Sequence, residues 1–158
     1  MITDALLTFT GASGQTITSA TTTTSTDHIR LDPLATGNTV RDIGTGEDLY
    51  LVVSLTTGSV TTVTSPTLTV NIVTDDNTGF SSALTIQTSG ALSLPTTTAA
   101  ATAGQRWILR LNPANFEEYV RLSFVTGGTI TTASYTFDAR IVMGVDAVRY
   151  YADAITIS

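Results

Sequence analysis

The sequence predicts an all-β domain, a jelly-roll (Greek-key) β-sandwich of about eight strands with little or no helix. Apolar and polar residues alternate with period 2 in several short runs, Gly, Asn and Asp punctuate the spaces between them, and about a fifth of the 158 residues are threonine. Threonine is β-branched, so its side chain suits a pleated surface, and its hydroxyl tolerates solvent. Eight short strands without helices fit two sheets packed face to face or a closed barrel. The jelly roll is the preferred reading, although pattern alone does not separate it from an immunoglobulin-like topology.

Two short strands are expected near Gln15–Ser19 and Asp27–Leu31. Asp48–Leu55 (D-L-Y-L-V-V-S-L) is a denser apolar run suited to a central strand covered on both faces. From 67 to 74, Leu68, Val70 and Ile72 alternate with Thr67, Thr69 and Asn71. The segment 83–89 sets Leu84 and Ile86 against Thr85 and Gln87, and 105–111 sets Trp107, Leu109 and Leu111 against Arg106, Ile108 and Arg110. Tyr119–Val125 turns Val120, Leu122 and Phe124 inward, and Tyr135–Met143 does the same with Phe137, Ala139, Ile141 and Met143. The T-G-G-T at 126–129 reads as hairpin punctuation, with Gly127 and Gly128 supplying positive backbone dihedrals. One helical turn is expected at most, in N-P-A-N-F-E-E at 112–118.

The length fits one domain. Residues 1–144 form the expected sandwich, and 145–158 (V-D-A-V-R-Y-Y-A-D-A-I-T-I-S) a further strand or an arm that adds to a neighbouring subunit's sheet. Exposed edge strands are commonly protected by lysine, and this chain has none, so its edges are expected to be covered, bulged or used for assembly. With no cysteine, disulfides, thiolate ligands and thiol nucleophiles are excluded. The N-terminus lacks a basic region and a long apolar run, and no stretch approaches the ~20 apolar residues of a membrane helix, so a soluble protein with no membrane partner is expected. The seven cations are Arg30, Arg41, Arg106, Arg110, Arg121, Arg140 and Arg149, scattered along a chain of net charge -6. Nucleic acid needs clustered cations to neutralise phosphate, so no nucleic-acid partner is expected.

Candidate sites are few. His28 is the single histidine, next to Asp27 in S-T-D-H-I-R-L. Neighbours on a strand point to opposite faces, and no G-x-S-x-G elbow is present, so a Ser-His-Asp device is not supported. One histidine leaves only an all-oxygen, Ca²⁺-type metal site to consider, and V-T-D-D-N-T-G-F-S-S at 73–82 is where it would lie. Counted from Asp75, however, the sixth position of an EF-hand is Phe80 and the twelfth Ile86, where Gly and Glu are required. Asp, Asn and Gly also build turns, which accounts for the same residues. Glu117 and Glu118 are adjacent and do not face each other across a substrate. Trp107, with Tyr50, Tyr119, Tyr135, Tyr150 and Tyr151, supplies the material for a sugar-stacking platform, but Trp107 shares its face with Leu109 and Leu111 and belongs to the core. No catalytic, cofactor-binding or metal residue is therefore assigned, and the protein is expected not to be an enzyme.

The order R-D-I-G-T-G-E-D-L-Y-L-V-V, then L-T-V-N-I-V-T-D-D-N-T-G-F-S-S, then R-W-I-L-R-L-N-P and Y-V-R-L-S-F resembles the small cement (decoration) proteins of tailed-phage capsids, over roughly Arg41 to Met143. The resemblance implies a jelly roll, a homodimer or homotrimer, and a place on the outer surface of a virion after synthesis in the host cytoplasm. The implied partner is the major capsid protein, whose subunits the protein would bridge without chemistry. A carbohydrate-binding or adhesin-type sandwich module is the alternative, and a hydrolase the third.

Overall fold

The computed structural model describes residues 7–31, 49–102, 104–112 and 116–143. They form strands β1 (Gln15–Ile17), β2 (Thr22–Thr24), β3 (Ile29–Arg30), β4 (Leu49–Asp75), β5 (Leu84–Thr88), β6 (Leu92–Ser93), β7 (Gln105–Arg110) and β8 (Tyr119–Met143), with one helix, α1 (Thr98–Thr102). All strand pairs are antiparallel.

β4 and β8 are the frame. They pair from Leu49 opposite Met143 to Asp75 opposite Tyr119, with register shifts between Leu55 and Thr67. Those bulges fold the ribbon back on itself. Phe124 and Phe137 are thirteen residues apart on β8, ~43 Å along a straight strand, yet their rings stack with centroids 6.1 Å apart. The inward positions change parity across the bend. On β4 they run through Leu49, Leu51, Val53 and Leu55, then Leu68, Val70 and Ile72; on β8 through Val120, Leu122 and Phe124, then Tyr135, Phe137, Ala139 and Ile141. A bulge that adds one residue does this, because the side-chain period of a strand is two.

The bend divides the sheet into two facing leaves. In the first, the order is β1, the C-terminal half of β8, the N-terminal half of β4, then β7. In the second it is β2 and β3, the N-terminal half of β8, the C-terminal half of β4, then β5 and β6. This is the strand order of a jelly roll in which two pairs of consecutive strands are each fused into one. Phe9, Ile17, Ile29 and Leu94 join the inward residues of both leaves in one core. Tyr135 is fully buried with its hydroxyl donating to the Pro95 carbonyl at 2.8 Å, and burial pushes the phenol pKa up.

Several details differ from expectation. From Leu49 on, the expected strand 48–55 is one strand with 67–74, and 119–125 is one with 135–143, because the Thr-rich spacers between them pair as strand although much of their surface is exposed. The T-G-G-T at 126–129 is therefore no hairpin. It lies inside β8 at the bend, where Gly128 has φ 78° and faces the bulge at Ser65, itself at φ 47°. β2 and β6 are additional strands. The helix lies in P-T-T-T-A-A-A-T, where alanine favours helix and the Thr97 hydroxyl accepts the Ala100 N–H at 3.2 Å. Ala101 of α1 packs so closely on the ribbon that a Cβ on Gly58 would lie 2.6 Å from it. Beside it, the Thr98 hydroxyl accepts the Val60 N–H at 2.8 Å and donates to the Val60 carbonyl at 3.0 Å, standing in for a ladder partner at the bend. The segment 145–158 and part of 112–118 lie outside the described residues.

Candidate functional site

The outer face of the second leaf carries the densest group of chemically distinctive side chains. Because Ile72, Val120 and Leu122 point inward, their neighbours Val73, Asp75, Tyr119 and Arg121 point outward, and the ladder sets Val73 opposite Arg121 and Asp75 opposite Tyr119. On the other side of β8, Arg30 lies opposite Tyr119 while its neighbour Ile29 enters the core. His28 precedes it. The loop from Asp76 to Ala83 between β4 and β5 then folds Phe80 over this face.

Asp75 organises that loop. Its side chain is fully buried, at 0% exposure. One oxygen accepts the Asn77 N–H at 3.1 Å, the Asn77 side-chain amide at 2.7 Å and the Ser82 hydroxyl at 3.2 Å; the other accepts the Ser82 N–H at 2.8 Å. The Asn77 side-chain oxygen in turn accepts the Gly79 N–H at 3.0 Å, and its amide also donates to Asp76 and Ser81. Burial disfavours the charged form of Asp75, but the N–H groups of Asn77 and Ser82, with the neighbouring side chains, outweigh it and hold the carboxyl below the ordinary value of 3.8. The turn reading of T-D-D-N-T-G thus has a specific form: the first acid is the hub of an Asx-type loop, with both oxygens occupied by its own donors.

A pH dependence follows. The Asp75 pKa is lower folded than unfolded, so its contribution to stability is present above 3.8 and lost as pH falls through the depressed folded value. Asp75→Asn removes the charge and presents an amide to the Ser82 N–H. The variant should melt below the wild type at pH 7, and the gap should close as pH falls toward 3. A gap that stays constant across a pH series of thermal melts contradicts this.

The loop holds Phe80 at φ 49°, left-handed backbone that is rare for a bulky side chain, with its N–H donated to the Asn77 carbonyl at 3.2 Å. Phe80 is 7% exposed and lies under the Arg121 guanidinium, 4.1 Å from the ring centroid. Its edge faces His28 at 6.1 Å, His28 faces Tyr119 at 5.7 Å, and the Arg30 guanidinium lies 5.7 Å from the Tyr119 centroid. Arg30 also pairs with Glu118 at 2.8 Å. The result is a continuous run of Arg121, Phe80, His28, Tyr119 and Arg30 across the leaf. Such a surface offers planar, partly desolvated groups to a partner and no nucleophile with a base.

The remaining sequence candidates are dispersed. Asp27 is exposed, and the nearby Ser25 hydroxyl donates to the Asp27 carbonyl at 2.7 Å and accepts the Leu122 N–H at 3.0 Å, so its hydrogen bonds are structural. Glu117 is exposed, and its N–H reaches the Thr74 hydroxyl at 2.7 Å. Among the described residues no three of His, Asp and Glu come together. Trp107 is half-buried on the core, 6.3 Å from the Phe137 centroid, and Tyr50 lies on the outer face of the other leaf. Tyr150 and Tyr151 lie outside the described residues. Sequence reasoning missed the Phe80–Arg121 stack, and its one visible trace is an aromatic residue directly after T-G in a polar loop.

Against known proteins, the family model Bbp16 matches residues 11–141. No curated relative matches the chain. Among solved structures, dimeric latent PorU from Porphyromonas gingivalis matches at 17% identity and a TM-score of 0.41, over 84% of this chain and 11% of that one. The chain thus spans about a tenth of the length of that protein.

Proposed function

The chain belongs to the Bbp16 family, and with that as premise we propose that it is a structural virion protein, a cement (decoration) protein that binds the outer surface of a tailed-phage capsid and bridges major capsid protein subunits. The observation that carries the reading is the T-D-D-N-T-G-F-S-S segment, the stretch through which the sequence resembles cement proteins. Here it builds a rigid loop that presents an arginine on an aromatic base at the surface of a jelly roll. Arginine and aromatic side chains are the residues that dominate protein–protein contacts.

The mechanism is linkage. A protein that binds the assembled shell better than its dissociated subunits stabilises the shell by that difference in binding free energy, and many modest contacts sum over a lattice. No reaction is needed. The protein acts as an oligomer, a dimer or trimer, so that one particle spans neighbouring capsid subunits.

The test is co-sedimentation with intact expanded shells of the proposed partner, the major capsid protein, with the oligomer size measured by analytical ultracentrifugation. Saturable binding and a rise in the shell's dissociation temperature are expected. Protein that stays in the supernatant at concentrations well above those of shell sites would overturn the reading.

A further inference from the structure

Arg121 is held ready for a group that the chain itself does not supply. Its Nε is buried and has no hydrogen-bond acceptor, and Arg121 forms no ion pair among the described residues. Every other feature of its surroundings fixes it in place. Phe80 supports the guanidinium from below, the Asp75-centred loop fixes Phe80 in left-handed backbone, and the ladder fixes Arg121 opposite Val73. A buried N–H without an acceptor is a standing cost of holding the guanidinium in this position, and it leaves the accessible edge of the fork to meet an incoming acceptor.

We propose that the outer face of the second leaf, centred on Arg121 and flanked by His28, Tyr119 and Arg30, is the protein's docking surface for a carboxylate-bearing loop of a partner protein, with the carboxylate received by the Arg121 fork. Three observations select this occupant. A guanidinium whose donors lack an acceptor matches a carboxylate in charge and in planar geometry. Arg30, the other cation of the run, already has Glu118 at 2.8 Å, so the cation left for a partner's acid is Arg121. The rest of this leaf's outer face along β4 and β8, at Thr67, Thr69, Asn71, Ser123 and Val125, carries neither an aromatic nor a cationic side chain, so the Arg–aromatic run is the part of it with the composition of an interface centre. Because the partner named above is a capsid subunit, this inference deepens the cement reading and rests on it for the partner's identity, while the carboxylate site stands on geometry alone.

Two measurements separate the claims. In the first, the arginine Nε–Hε resonances of the full chain are followed by NMR during titration with an acetylated peptide carrying two aspartates, and with the same peptide carrying asparagines. The Arg121 resonance should move with the aspartate peptide and stay in place with the asparagine peptide. Equal response to both peptides, or none to either, overturns the carboxylate site. In the second, Arg121→Met and Arg121→Lys are compared with wild type for shell binding, after melts establish that both are folded. Met keeps the apolar stem over Phe80 and should weaken binding at least 10-fold, while Lys should recover only part of the loss because it keeps charge without the fork. If wild type binds shells and Arg121→Met binds equally well, the docking surface is wrong and the cement reading survives. If the peptide response holds and no variant or wild type binds shells, the carboxylate site survives and the cement reading fails.

Discussion

Phe137→Ala should lose about 3–5 kcal/mol of stability, the range for emptying a large aromatic site in a close-packed core. Phe137 is fully buried, and it is where the two leaves meet. Its ring lies 6.1 Å from Phe124 across the fold of the ribbon, 6.4 Å from Tyr135 and 6.3 Å from Trp107. Removing it takes away dispersion contacts on several sides, and the surrounding side chains are anchored on hydrogen-bonded strands that relax little. For a chain of this size the loss corresponds to a fall in Tm of roughly 10 °C. Phe137→Leu, which retains much of the volume, should cost far less, on the order of 1 kcal/mol. Urea or thermal unfolding of the pair reads the difference. Equal losses for Ala and Leu would mean that the site is not the packed junction described.

Gly128→Val should be comparably damaging for a different reason. Gly128 has φ 78°, and a Cβ there would lie 2.3 Å from the Ser65 carbonyl oxygen and 2.7 Å from that of Thr64. Both obstacles are backbone, so the ribbon itself would have to separate at its bend. Left-handed strain in a β-branched residue adds to the clash, and a loss of at least about 3 kcal/mol is expected. Gly127 is the internal control. A Cβ on it would meet only the Thr67 hydroxyl oxygen, at 2.7 Å, and a side chain can rotate away. Gly127→Ala should therefore cost about 1 kcal/mol or less. Matching melts for the two variants would show that the bend tolerates a side chain and that Gly128 is not what shapes it.

The contrast between these two glycines also shows where sequence reading succeeds and where it stops. The strands with a half-buried face were legible because Leu68, Val70 and Ile72, or Val120, Leu122 and Phe124, repeat with the period of the pleat. Their fusion into β4 and β8 was not. Between the runs the outward and inward residues are mostly Thr, Ser and Gly, so alternation has no contrast to show, and G-G reads locally as a turn. Only the approach of Ser65, sixty residues away in sequence, shows it to be a bend. β2 consists of three threonines and β6 of two residues, too short for any periodicity. α1 escaped because its helical signal is a five-residue segment inside a Thr-rich stretch.

The acidic loop was legible as a turn from its Asp, Asn and Gly. That Asp75 would be its fully buried hub follows from tertiary packing, since on a strand in isolation it is one more polar residue beside Thr74. The stack of Arg121 on Phe80 joins a strand to a loop far from it in sequence, and neither residue type announces the other. Chemistry made from distant pairs of common residues leaves little trace in a single sequence.

The continuous β4–β8 ribbon also determines how the chain must fold. Its rungs join residues from 44 apart, at Asp75 and Tyr119, to 94 apart, at Leu49 and Met143. The conformational entropy of closing such large loops is spent before any rung is made, so folding is expected in the millisecond-to-second range typical of topologies dominated by non-local pairing. Because both leaves are made from the same two strands, neither has a complete set of partners without the other. The domain should accordingly rise and fall as a unit, with a single kinetic phase shared by the Trp107 side and the Asp75 side.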